Sequence, residues 1–161
     1  MEKVAQSFYT VRFSDCDPFG HLNNSRYFDY LLNAREDHLK ENYQFDLAGV
    51  YKQGLGWVIN SHQLQYLRPA LYNERICIKS ALIDKGDSDL LVEMSMWDEA
   101  VQVCKAVLWT KFTHVSLRTG KKERHGEEFI RFATDVLYTD IKAEEGFEKR
   151  VAQIGLSKVQ I

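Results

Sequence analysis

An α+β fold is predicted, one antiparallel sheet packed on one long helix, and three observations predict it. Between Ser25 and Glu41 the apolar positions Tyr27, Tyr30, Leu31, Ala34, His38 and Leu39 recur every three or four residues, which lines one face of a helix. One strand-like stretch precedes this helix and four follow it. The links Lys85-Gly86-Asp87 and Asp98-Glu99-Ala100 are too short to hold the crossover helices of a parallel sheet.

Taken in order, Ser7 to Phe13 has Phe8, Val11 and Phe13 apolar against Thr10 and Arg12, a first strand. Asp17-Pro18-Phe19-Gly20 is a tight turn. Asn23, Asn24 and Ser25 are cap residues, so the helix is expected from about Ser25 to Glu41 with an amide side chain on its open N–H groups. Asn42 to Val50 suits a short helical turn ending at Gly49, and Gly54 and Gly56 introduce the next element. A long strand is expected over Trp57 to Leu67, halted where Pro69 removes a ladder donor. Tyr72 to Asp84, Ser88 to Asp98 and Val101 to Leu117 complete the sheet. After a polar loop, Arg118 to Gly126, helical spacing returns in Phe129, Ile130, Phe132, Ala133, Val136 and Leu137, and again in Phe147, Val151 and Ile154. Residues 1–120 thus read as the sheet-and-helix unit, and 121–161 as a helical extension of the same domain that caps the sheet or a neighbouring subunit, with a substrate lid as the alternative.

The chain has 161 residues, enough for one domain that buries about two-thirds of its unfolded surface. Its 21 basic and 23 acidic residues form no block of one sign, which argues against a nucleic-acid or membrane-surface partner. The opening residues lack the layout of a signal peptide, and no apolar run approaches the ~18 residues that cross a bilayer, so a cytoplasmic protein is expected. Cys16, Cys77 and Cys104 are odd in number and lack Cys-x-x-Cys spacing, which suggests neither a disulfide framework nor a zinc site. Cys77 and Cys104 read as core residues and Cys16 as packing in the loop. His38, His62, His114 and His125 show no metal-ligand spacing, and no metal is expected.

The chemistry concentrates just before the helix. A helix start carries open N–H groups and partial positive charge, and Asp17 stands one turn ahead of it. A carboxylate facing oxyanion donors is the equipment of acyl transfer. On its own residues, Asp17 also fits a turn-forming role, accepting from its local backbone.

Asp15-x-Asp17-Pro18-x-Gly20-His21-x-Asn23-Asn24-x-x-Tyr27, ahead of a long helix, resembles the hotdog-fold acyl-CoA thioesterases, in particular the 4-hydroxybenzoyl-CoA thioesterase branch and the long-chain acyl-CoA thioesterases with a His-Val-Asn-Asn stretch. The resemblance runs through Arg68-Pro69-Ala70 and fades near Arg118. It implies an acyl-CoA thioesterase in which Asp17 is nucleophile or general base and the backbone N–H of Asn24 is the oxyanion donor. His21, which matches the second branch alone, would orient Asp17 or the thioester. Asn23, Tyr27, the strand residues Trp57, Val58 and Ile59, and Arg68 against a CoA phosphate make up the implied substrate-binding set. The co-substrate is water, no cofactor is implied, and a homodimer or homotetramer is expected, with a partner subunit completing the groove. Two rivals stand beside this reading. One is a hotdog protein that binds acyl-CoA without cleaving it; the other is a hydroxyacyl-thioester dehydratase, for which His38 is the one histidine on the helix.

Overall fold

Alternate residues of three adjacent strands meet the apolar stripe of a single helix, and that contact places everything else. The computed structural model describes residues 1–159. Strands β1 (Ala5–Thr10), β2 (Leu55–Tyr66), β3 (Arg75–Lys85), β4 (Asp89–Asp98) and β5 (Cys104–Ser116) form one antiparallel sheet in the order β1-β3-β4-β5-β2. Helix α1 (Tyr27–Glu41) lies across it; α2 (Leu47–Lys52), α3 (Glu127–Val136) and α4 (Phe147–Val159) follow. This is the hotdog architecture, and it carries a helical extension.

On the inner face Ile76 and Ile78 of β3, Val92, Met94 and Met96 of β4, and Ala106 and Leu108 of β5 pack with Tyr27, Leu31 and Ala34 of α1. Leu31 is fully buried, and burying such a side chain stabilises by roughly 1.5–3 kcal/mol. The extension is divided between the two faces. Ala133 and Val136 of α3 join the inner core, where Phe132 stacks on Phe45 with centroids 5.2 Å apart. Phe147 and Ile154 of α4 cover Ala81, Ile83, Val107 and Trp109 on the outer face. Cys77 and Cys104 are buried, as their strand positions suggest.

Several boundaries differ from the sequence reading. The first strand spans Ala5–Thr10, not Ser7–Phe13, because its ladder with β3 ends where Thr10 opposes Arg75. Phe13 falls in a 3-10 turn (Phe13–Asp15) and is 78 % exposed. The long helix is preceded by a 3-10 turn, Asn24–Arg26, and neither Asn23 nor Arg26 caps its helix through a side chain. The expected asparagine capping is therefore absent. Gly49 lies inside α2 rather than ending it, and its N–H donates to Asp46 Oδ1 at 3.0 Å. β2 does not form a hairpin with β3; it crosses to the far side of β5 and becomes an edge strand. Among the described residues no helix is long and apolar enough to cross a membrane.

Candidate active site

The loop after β1 is a small hairpin with its own ladder. Cys16 bridges Leu22, the Asp17 N–H donates to the His21 carbonyl at 2.8 Å, and the Gly20 N–H donates to the Asp17 carbonyl at 3.0 Å. Gly20 has φ +76°, a conformation that costs glycine little and other residues more. Asp17 Oδ1 accepts from the Phe19 N–H at 2.9 Å and from the His21 N–H at 3.0 Å, which fixes the carboxylate and leaves Oδ2 for other work. Two further bonds latch the hairpin to the segment after β2: Leu22 N–H to Ala70 O at 2.8 Å and Tyr72 N–H to Gly20 O at 2.7 Å. The turn-forming reading of Asp17 therefore accounts for Oδ1 and leaves Oδ2 without a hydrogen bond inside the turn.

The approach to α1 is held as firmly. The Asn23 N–H donates to the Asp15 carbonyl at 2.9 Å, and the Asp15 carboxylate accepts from the Tyr30 hydroxyl at 2.6 Å. Asn24 opens the 3-10 turn, a position whose N–H has no partner within the turn itself. Its carbonyl accepts from the Tyr66 hydroxyl at 2.8 Å. The Tyr27 hydroxyl accepts from the Ala70 N–H at 3.0 Å, and the Tyr27 and Tyr66 rings meet edge to face at 5.0 Å.

A cavity of about 330 Å³ opens here, with Asp17, His21, Asn24, Tyr27, Tyr66 and Arg68 on its wall. Asp17 is half-buried, whereas His21 and Asn24 are exposed. Burial raises the hydroxyls of Tyr27 and Tyr66 above their ordinary range, so both stay protonated at neutral pH. Arg68 Nη1 donates to the Leu67 carbonyl at 2.9 Å at the rim. The Cys16 thiol is raised by burial and by the carboxylates of Asp15 and Asp17, and Sγ lies 3.3 Å from the Arg12 carbonyl. A thiol raised in this way holds its proton at neutral pH, which makes it a weak nucleophile.

Of the residues singled out from sequence, Asp17, His21, Asn24, Tyr27 and Arg68 share this wall, and Asn23 stands beside it without lining it. Trp57, Val58 and Ile59 do not reach it within one chain. They sit at the opposite end of β2, roughly 23–30 Å from Tyr66 at about 3.3 Å per residue. Trp57 instead packs on His114 and Phe129, with centroids 4.9 and 5.0 Å away, while Val58 and Ile59 are nearly half exposed. Tyr66 lies on this wall without belonging to the sequence motif; alternation along β2 puts Leu64 and Tyr66 on the helix side, but only the crossover of β2 brings Tyr66 to Asn24.

Fold and sequence together define a thioester hydrolase of the hotdog class. More particularly, the chain belongs to the thioesterase-like superfamily, whose family model matches residues 11–146. The match runs past Arg118 and through α3, so the family likeness extends further than the motif alone suggests. The long-chain acyl-CoA thioesterase FadM of Escherichia coli is 29 % identical over 117 residues, 72 % of this chain and 86 % of that protein. Among solved structures, a 1,4-dihydroxy-2-naphthoyl-CoA thioesterase from Synechocystis superposes with a TM-score of 0.75 at 13 % identity, covering 83 % of this chain and 97 % of the other. A DHNA-CoA thioesterase from Staphylococcus aureus gives 0.76 at 16 % identity, covering 83 % and 90 %. At such identities the structures speak to the fold.

Proposed function

We propose that this chain hydrolyses an acyl-CoA to the free acid and CoA, with Asp17 as the chemical group and the start of the helix as the oxyanion site. One observation carries the reading: a half-buried carboxylate, fixed through one oxygen by two backbone N–H groups, shares a cavity wall with the first residue of the turn leading into α1. A thioester oxygen placed at the Asn24 N–H gains from that donor and from the partial positive charge of the helix start. Asp17 Oδ2 then attacks the carbonyl carbon, or takes a proton from the water that does; the CoA sulfur leaves as the thiolate, and on the first route water then cleaves the mixed anhydride on Asp17 to give the free acid and restore the carboxylate. His21 orients the reacting groups from the rim, Asn23 and Tyr27 shape the thioester end, and Arg68 meets a CoA phosphate. Relatives named for long-chain acyl-CoA and for naphthoyl-CoA share the acyl-CoA chemistry and differ in the acyl group.

The groove is completed by a second copy. β2 is a twelve-residue edge strand, exposed along most of its length, and such edges are ordinarily covered. Antiparallel pairing of β2 with its counterpart about a twofold axis brings Trp57, Val58 and Ile59 of one subunit toward the Asp17 end of the other. In that dimer, or in a tetramer of paired dimers, the three residues regain a place beside the acyl chain.

The dehydratase alternative is weakened by His38. It sits eleven residues beyond Tyr27, roughly 16 Å along the helix, and is buried. The deciding experiment measures thiol release from short-chain, long-chain and aromatic acyl-CoA by the parent and by Asp17→Asn. The asparagine Oδ1 still accepts both N–H groups, so the loop keeps its shape. A fall of about a hundredfold, ~2.7 kcal/mol in barrier, is expected. Acyl-CoA binding without thiol release by the parent protein would instead make this a binding protein.

A further inference from the structure

A second cavity, of about 120 Å³, lies between α1, α2, α3 and the inner face of the sheet, and it shares no lining residue with the Asp17 cavity. Leu39, Phe45, Trp57, Phe112, Phe129 and Phe132 are typical of its wall, which is aliphatic and aromatic apart from one charged side chain, Arg35. Arg35 is 7 % exposed. Its Nη1 donates to Ser80 Oγ at 2.9 Å, and its guanidinium carbon lies 5.7 Å from the Tyr43 ring centroid. Both neighbours are neutral. Among the described residues Arg35 forms no ion pair. Asp37, two positions on along the helix, is engaged elsewhere, accepting from the Tyr9 hydroxyl at 2.6 Å.

A buried cation without an anion is costly, and proteins keep one where something neutralises it. Here burial lowers the guanidinium from its usual range, and what opposes that pull is the Tyr43 hydroxyl, not a carboxylate. An apolar chamber with a single unneutralised cation on its wall is complementary to an apolar body that ends in an anion. Size limits the body: a dry cavity of about 150 Å³ accepts benzene, so this one suits a single ring or four to six carbons. Tyr51 is the exposed member of the lining, 45 % accessible, and lies over Gly56, where a Cβ would strike its ring.

We propose that this cavity binds a small organic carboxylate, its carboxylate against Arg35 and its apolar body among Phe45, Trp57, Phe112 and Phe129. The site shares no residue with the Asp17 cavity of its own chain, Trp57 being its one point of contact with the groove proposed for the dimer, and it does not rest on acyl-CoA hydrolysis because binding is read with no thioester present.

The test titrates the full chain at pH 7 with hexanoate and, separately, with hexan-1-ol, using calorimetry for affinity and the Arg35 side-chain N–H resonances, together with the Trp57 indole N–H, for location. Hexanoate is expected to bind at least about tenfold more tightly than the alcohol and to shift both the Arg35 and the Trp57 signals. Arg35→Met, close in length and apolar, is expected to erase the preference for hexanoate while leaving the alcohol's affinity near the parent value. Should that variant fail to fold, the parent comparison of acid with alcohol still decides. Equal affinities, shifts confined to the Asp17–Gly20 loop, hexanoate affinity unchanged in Arg35→Met, or no binding below about 10 mM would each overturn the proposal.

Discussion

The imidazole Nδ1 of His38 lies 2.6 Å from the Ser80 hydroxyl, which also receives the Arg35 guanidinium at 2.9 Å. The line continues from His38 Nε2 to Ser7 Oγ at 2.8 Å, from Ser7 to the Tyr9 hydroxyl at 2.9 Å, and from Tyr9 to Asp37 at 2.6 Å. Its ends set its direction: arginine can only donate, and a carboxylate only accepts. Ser80 therefore donates to Nδ1 and the Nε2 proton goes to Ser7, so a neutral His38 satisfies every member. The relay ties α1 to β1 and β3 at the end of the helix remote from Asp17.

That arrangement predicts acid sensitivity. Burial first, and the Arg35 charge second, pull His38 down to about 4; Asp37 opposes them in part. In the unfolded chain the ring titrates near 6.5. Below that value the unfolded state takes up a proton that the folded state refuses until about pH 4. The contribution is thus complete above pH 6.5 and lost as pH falls toward 4, on the order of 3 kcal/mol. His62 and His125 are also lowered by burial and act with the same sign. Urea unfolding between pH 7.5 and 4.5 should show a shallower loss in His38→Gln than in the parent. Parallel curves would remove His38 from the account.

If the main-chain N–H of Asn24 polarises the thioester, its side chain is dispensable and its proton is not. Asn24→Ala should stay near the parent rate. Asn24→Pro deletes the N–H at the first position of a helical turn, where proline is tolerated. Asn23, with φ −62° and ψ 136°, already has the extended form required before proline. A loss of about a hundred- to a thousandfold in kcat with an unchanged circular dichroism spectrum is the expected result. A proline variant as fast as the alanine variant would place the oxyanion donor elsewhere.

Tyr66→Phe removes the hydroxyl that holds the Asn24 carbonyl and keeps the ring against Tyr27. The bond contributes about 0.5–1.5 kcal/mol, so a small drop in melting temperature is expected. A several-fold fall in kcat with little change in KM would mark Tyr66 as a positioning residue for the oxyanion site. Equal, small changes in both would leave it a stability residue.

What could be read from sequence followed from periodicity, and what could not depended on distant partners. The stripe from Tyr27 to Leu39 forced a buried helix, and its end at Glu41 is where the chain places it. Phe13 shows the limit: it alternates correctly with Val11, yet the strand stops at Thr10 because the partner segment bends away beyond Glu74, whose carbonyl takes the Val11 N–H at 2.9 Å, with Asn73 at φ +65°. Asn23, Asn24 and Ser25 have the composition of caps, but a 3-10 turn and the Asp15 carbonyl organise the helix start without their side chains. Asp17, His21 and Asn24 were legible as neighbours because one short loop holds them. Tyr66 and Ala70 join them only through the crossover of β2, which no local pattern encodes. The position of Trp57 depends on which end of β2 it occupies and, in the proposed dimer, on a second chain. Arg35 is outside the apolar stripe read from the sequence, and its burial appears only once Ser80 and Tyr43 are placed around it.

The outer layer rests on a buried ion pair. Glu93 of β4, 4 % exposed, accepts from Arg150 Nε at 2.8 Å, from Arg150 Nη2 at 2.9 Å and from Trp109 Nε1 at 2.9 Å. Removing one partner of such a pair strands the other charge, whereas replacing both by apolar groups is often neutral. Arg150→Met should therefore cost about 3–5 kcal/mol and speed amide exchange across residues 147–155, while Glu93→Met combined with Arg150→Met should recover most of the loss. Chemical unfolding of the single and double variants separates two accounts of α4. A single-variant cost of about 1 kcal/mol or less, the range of an exposed pair, would mean that α4 is held by Phe147 and Ile154 against Trp109 and its neighbours rather than by the charge.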